Sequence, residues 1–123
     1  MKLLFVCTGN VDRSPTAEHL FDKDETVIAK SAGVSVGATV PLTKELMEWA
    51  DVVFVMEWKH EKAALKIAPS CWKKLEVLGI PDKYYFGQPE LISLLKERLA
   101  SYCQPERKMS ENTKADLPTS TEQ

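Results

Sequence analysis

Apolar positions along this chain follow two rhythms, unbroken short runs and stripes spaced by three or four. Unbroken runs occur at Leu3 to Val6 and in DVVFVM, residues 51–56. Such runs suit strands of a parallel sheet buried on both faces. TVIAKSAG (26–33) has the β-branched character of a second strand, ended by Gly33, and KLEVL (74–78) predicts a fourth. Between them, TAEHLF continues from a start signal at Ser14-Pro15, serine as N-cap and proline at the first helical position. LTKELMEWA has Thr43 as N-cap and apolar residues at helical spacing, and KHEKAALKIA reads as a third helix. Leu91, Leu95, Leu99 and Tyr102 mark an amphipathic last helix.

The predicted order is β-α-β-α-β-α-β-α, an α/β fold. It implies a three-layer sandwich, a four-stranded parallel sheet flanked by helices on both faces, with right-handed crossovers. VSVGATVP (34–41) and IPDKYYFGQP (80–89) are loops. Residues 1–103 form the expected domain; 104–123 are polar, nearly free of large apolar residues, and expected to be a disordered tail.

Composition narrows the function. A chain of 123 residues has room for one domain. A net charge of −2, with both signs spread along the chain, offers no basic field for nucleic acid. No apolar run is long enough to cross a bilayer, and the N-terminal run passes into turn chemistry, reading as a strand and not a signal peptide. Cys7, Cys71 and Cys103 are far apart, which fits free thiols in a reducing, cytoplasmic setting. His19 and His60 lack ligand spacing, so no metal site is expected and both are read as solvated helix residues. Trp49, Trp58 and Trp72 are read as packing residues, with Trp58 the best placed to reach a cleft. Lys59, Lys62 and Lys66 share a solvated helix face.

The chemistry concentrates in CTGNVDRSP, residues 7–15. Cys7 ends the first strand and Ser14 starts the first helix, so the loop lies where open α/β sheets bind ligands. Its backbone N–H groups (Thr8, Gly9, Asn10, Val11, Asp12, Arg13, Ser14) and the helix start can surround an anion. Gly9 is expected to permit the tight turn, and Arg13 offers a planar fork for phosphate oxygens. The same field favours the thiolate of Cys7, a nucleophile for phosphoryl transfer. Asp82, on the loop after the fourth strand, faces the same sheet edge and is the leading candidate for the acid that protonates a leaving oxygen. Tyr84 and Tyr85 are expected to form an apolar wall for an aromatic substrate.

These residues resemble the low-molecular-weight protein tyrosine phosphatase family, which has a Cys-x5-Arg-Ser loop after its first strand. KSAG, VVFVME and IPDKYYFG resemble further segments of that family, the last its Asp-Pro-Tyr acid loop. The resemblance implies Cys7 as nucleophile, Arg13 as phosphate ligand and Asp82 as general acid. It also implies that Asn10, Ser14 and Ser31 support the loop by hydrogen bonds. The reaction would pass through a cysteinyl-phosphate, without cofactor or metal. The partner would be a phosphotyrosine-containing protein or a small aryl phosphate, met by a monomer. Asp12 departs from the pattern, standing where many members have cysteine or serine; it is expected to point outward or to lower affinity for dianions. Lys83 replaces the proline of Asp-Pro-Tyr, and residues 34–42 lack an aromatic. Two alternatives remain. Arsenate reduction on the same scaffold wants two further, closely spaced cysteines, which Cys71 and Cys103 do not supply. A non-catalytic phosphate-binding module or phosphoryl carrier is the other, although Arg13 fits a carrier loop poorly.

Overall fold

The computed structural model describes residues 1–102; the expected tail at 104–123 and Cys103 lie outside the described residues. The strands are β1 (Lys2–Cys7), β2 (Ile28–Gly33), β3 (Val52–Val55) and β4 (Leu75–Val77). All pair in parallel, in the order β2-β1-β3-β4. Helices α1 (Arg13–His19), α2 (Lys44–Trp49), α3 (Trp58–Ile67) and α4 (Pro89–Arg98) follow the strands in turn. A 3-10 turn at Pro69–Lys74 leads into β4.

Side chains alternate across the pleat, and this divides the core in two. Leu3, Phe5, Cys7 and Phe54 face one layer, against Ala17 of α1 and Leu91 and Leu95 of α4. Leu4, Val6, Val53 and Val55 face the other, against Met47 of α2 and Ala64 of α3. Phe5 stacks on Phe54 at 5.4 Å and on Phe21 at 5.8 Å between ring centroids. The α4 stripe of Leu91, Leu95 and Leu99 is fully buried; each such leucine contributes about 1.5–3 kcal/mol of burial. The expected three-layer α/β sandwich is the observed one.

β1 is central, flanked by β2 and β3. The chain leaves it in one direction across the sheet to β2, while β3 and β4 lie in the other. Crevices in open α/β sheets form where the strand order diverges in this way, at the carboxyl ends of the strands. Cys7 is the last residue of β1.

Two expected local features differ. α1 begins at Arg13, with Asp12 in the N-cap position and no side-chain cap bond, so Ser14 is not the cap. Trp58 and Trp72 are 72% and 61% exposed and do not pack; of the three tryptophans only Trp49 leans on the core. Thr43 does cap α2, accepting from Leu46 N at 3.2 Å. Among the described residues no helix is long and apolar enough to cross a membrane.

Candidate active site

The loop from Thr8 to Asp12 is held by the segment that follows β2. Val34 N donates to Cys7 O, Ser35 N to Thr8 O and Thr39 N to Gly9 O, at 3.0, 2.9 and 3.1 Å. A trans peptide points its C=O and the next N–H in opposite directions. Anchoring these carbonyls on one side therefore turns the N–H groups of Thr8, Gly9 and Asn10 the other way. Among the described residues none accepts from them. The result is a concave set of donors suited to an anion.

The turn is not made where the sequence suggests. Gly9 has no positive φ and a Cβ there would meet only Val11 Cγ2, at 3.6 Å. Asn10 takes the left-handed conformation, φ 57°, which asparagine tolerates better than most residues. The indispensable glycine is Gly33. A Cβ on it would lie 2.6 Å from Thr8 O and 2.9 Å from Asn10 N, because the loop passes directly over β2.

Ser14 is 0% exposed and lies inside the loop, which explains why it cannot cap the helix. Its Oγ is 3.0 Å from Cys7 Sγ and accepts from Asn10 Nδ2 at 2.9 Å. With the sulfur as thiolate, the Ser14 hydroxyl is the donor of the first contact. Ser31 does not join this network. Its hydroxyl donates to Glu18 Oε1 at 2.6 Å, linking β2 to α1.

Arg13 is 2% exposed. Its Nη1 is bound by Glu57 Oε2 and donates to Ile80 O at 2.8 Å. Nη2 faces Thr8 Oγ1 at 3.4 Å and Asp82 Oδ1 at 3.8 Å. The hydrogen bond from Arg13 holds the Glu57 carboxyl below its usual range, so the pair is ionised. Asp82 is well exposed, at the rim beside Nη2.

His60 is fully buried, contrary to its reading as a solvated residue. Nδ1 accepts from Glu57 N at 3.0 Å, and Nε2 is 2.8 Å from Thr8 Oγ1. Burial, reinforced by the charge of Arg13, pushes its pKa down to about 4. The ring is neutral near pH 7, and the Nδ1 bond fixes its proton on Nε2, which donates to Thr8. Glu57 and His60 escaped the sequence reading. Their signal was a Glu-x-x-His spacing at the start of α3, whose meaning depends on what lies across the sheet.

Of the expected wall, Tyr84 is partly buried against the first core layer and borders a hollow of about 460 Å³ with Pro89, Glu90 and Leu94 of α4. It leans on the helix instead of the loop. Tyr85 is exposed on a loop and Trp58 at the first residue of α3, and Val11, Val36, Val40 and Phe86 are exposed on loops as well. Asp12 does turn away from the anion loop, for its Oδ1 accepts from Phe86 N at 2.8 Å. Among the described residues no group of three or more His, Cys, Asp or Glu side chains is arranged to hold a metal ion.

The model of the low molecular weight phosphotyrosine protein phosphatase family matches residues 2–43, which contain the loop and Gly33. The chain is 32% identical over 102 residues to the low molecular weight protein-tyrosine-phosphatase Wzb of Salmonella typhi, spanning 63% of this chain and 68% of that protein. It belongs to the low-molecular-weight protein tyrosine phosphatase family. It is also 35% identical over 89 residues to the protein-arginine-phosphatase of Bacillus subtilis, a match covering 50% of this chain and 59% of that protein. Among solved structures, Vibrio vulnificus Wzb in complex with benzylphosphonate superposes with a TM-score of 0.69 at 25% identity, over 83% of this chain and 96% of the other. The family's fold and its phosphatase class thus apply to this chain.

Proposed function

We propose that this phosphatase hydrolyses phosphotyrosine through a covalent intermediate on Cys7. The observation that carries the reading is the pairing of Cys7 Sγ with Ser14 Oγ at 3.0 Å, at the base of a loop whose other end supplies Arg13. In the first displacement the Cys7 thiolate attacks phosphorus, forming the S–P bond as the ester P–O bond breaks. Asp82 gives its proton to the leaving phenolic oxygen. In the second, water attacks, Asp82 takes a proton from it, and the S–P bond breaks to release phosphate and the thiolate. The loop N–H groups and Arg13 stabilise charge on the equatorial oxygens. Asn10 and Ser14 support the thiolate, while the Ser31 hydroxyl donates to Glu18. Exposed Val11, Trp58, Tyr85 and Phe86 favour an aryl group or a polypeptide beside the phosphate.

The match to the arginine phosphatase supports a second reading in which the leaving group is a guanidine. Arsenate reduction by internal relay is disfavoured. Cys7 and Cys71 are both free and belong to core layers on opposite faces of the sheet.

Steady-state hydrolysis of phosphotyrosine and phosphoarginine peptides by wild type, Cys7→Ser and Asp82→Asn tests the proposal. Tyrosine turnover lost in Cys7→Ser and slowed in Asp82→Asn is expected. Preference for phosphoarginine would move the substrate class, and full activity of Cys7→Ser would end the covalent mechanism.

A further inference from the structure

The segment carrying Asp82 is fastened to the anion loop at both ends, and by adjacent residues. On one side Arg13 Nη1 donates to Ile80 O at 2.8 Å. On the other, Asp12 Oδ1 accepts from Phe86 N at 2.8 Å. The next amide, Gly87 N, donates to Thr16 Oγ1 at 3.0 Å, and Thr16 Oγ1 itself donates to Asp12 O at 2.7 Å. The Phe86 ring meets His19 edge-on at 5.4 Å. Asp12, Thr16 and His19 are spaced by four and three residues, which lines them up along one side of α1. Gly87, at φ 74°, adopts the left-handed conformation in the turn that presents two successive N–H groups to that stripe.

We propose that Asp12 is a positioning residue that holds the loop of Asp82 over the phosphate site, with Thr16 as the second point of attachment. The proposal rests on the acid role of Asp82 given above. It assigns a use to a carboxylate that stands beside an anion site. Lys83 stands where the related acid loop has a rigid proline, and the arc from Ile80 to Phe86 gains its constraint from contacts at its ends instead. A bare negative charge in the loop would act through affinity for the dianion, whereas a latch acts through proton donation to the leaving group. The two are separable, because Asn at position 12 removes the charge but keeps an oxygen able to accept from Phe86 N.

The test compares aryl phosphates with leaving groups of high and low pKa, phenyl phosphate against a difluorinated coumarin phosphate. The readout is the ratio of their kcat/KM values, which covers the steps through departure of the leaving group and so depends on a positioned acid, not on folding yield or on the second displacement that both substrates share. Asp82→Asn is expected to lower this ratio by at least about 100-fold. Asp12→Ala should lower it by about tenfold, Asp12→Asn should restore it to within about twofold, and Thr16→Val should lower it where Thr16→Ser does not. KM should fall in both Asp12 variants, reporting the lost charge. An unchanged ratio in Asp82→Asn would overturn the acid assignment and the latch with it. A ratio that collapses in Asp82→Asn but holds in Asp12→Ala, or that falls equally in Asp12→Asn, would overturn the latch alone.

Discussion

Glu57 and Arg13, 44 residues apart in the chain, form an ion pair that occupies Nη1 of the guanidinium and leaves Nη2 toward the site. The carboxylate thereby sets the plane of the fork that an oxyanion would meet. It also neutralises the charge of a side chain that is otherwise buried.

Glu57→Ala leaves Nη1 with only the Ile80 carbonyl. Loss of this charge-assisted bond is expected to cost about 2 kcal/mol in urea unfolding and to weaken inhibition by phosphate about tenfold or more. Glu57→Gln, which keeps an acceptor, should fall between. Unaltered phosphate inhibition in Glu57→Ala would show that Arg13 holds its orientation without the pair.

His60 makes stability depend on pH with a defined sign. Its folded pKa, about 4, is below the ordinary 6.5, so the unfolded chain takes up the proton first as pH falls. Its contribution is therefore complete above about pH 6.5 and is lost progressively down to about pH 4, by at most about 3 kcal/mol. Melting temperatures measured across that window should fall for wild type and fall less for His60→Asn. Equal slopes would mean that His60 titrates normally.

Thr8 receives a hydrogen bond from His60 Nε2 at 2.8 Å and a longer one from Arg13 Nη2 at 3.4 Å. Thr8→Val keeps the shape but leaves the buried Nε2–H without an acceptor, at a cost of about 1–3 kcal/mol. A double-mutant cycle with His60→Asn should recover much of that loss. Strict additivity in chemical unfolding would argue that the two groups do not interact.

Gly33→Ala and Gly9→Ala should differ in the order opposite to the one their motif suggests. A methyl on Gly33 must displace the backbone at Thr8 and Asn10, whereas one on Gly9 makes ordinary contact. We expect Gly33→Ala to cost about 1–3 kcal/mol and to weaken phosphate binding, with a smaller effect for Gly9→Ala. Isothermal titration with phosphate, alongside thermal melts, gives both quantities.

The contrast between these glycines marks what the sequence could and could not convey. Runs such as Leu3 to Val6 announce strands because burial on both faces leaves no room for polar residues. The leucine stripe of α4 is legible for the corresponding helical reason. Cys7, Asn10, Arg13 and Ser14 are legible together because their relationship is local, within one turn between a strand and a helix. Gly33 comes to the same place after one crossover and Glu57 and His60 after two, and nothing in their immediate neighbours states that destination. Ser14 has the residue type of a cap, but its hydroxyl is engaged with Asn10 and Cys7 inside the loop. The family resemblance places Ser31 at the loop, and residue type suggests Tyr84 for the cleft wall. In the fold each finds a nearer partner, Glu18 for one and the core beside α4 for the other.

The anchoring of the Cys7, Thr8 and Gly9 carbonyls by residues 34–39 has a consequence for how the protein matures. The loop cannot take shape when β1 and α1 first form, because the amides that shape it arrive on the next strand's far side. Glu57 and the Asp82 segment come later still along the chain. Each is a contact of long sequence separation, the kind whose closure entropy is met late in folding. During refolding, far-ultraviolet signal should therefore return before catalytic competence, and the interval between them would time the closing of the final crossover.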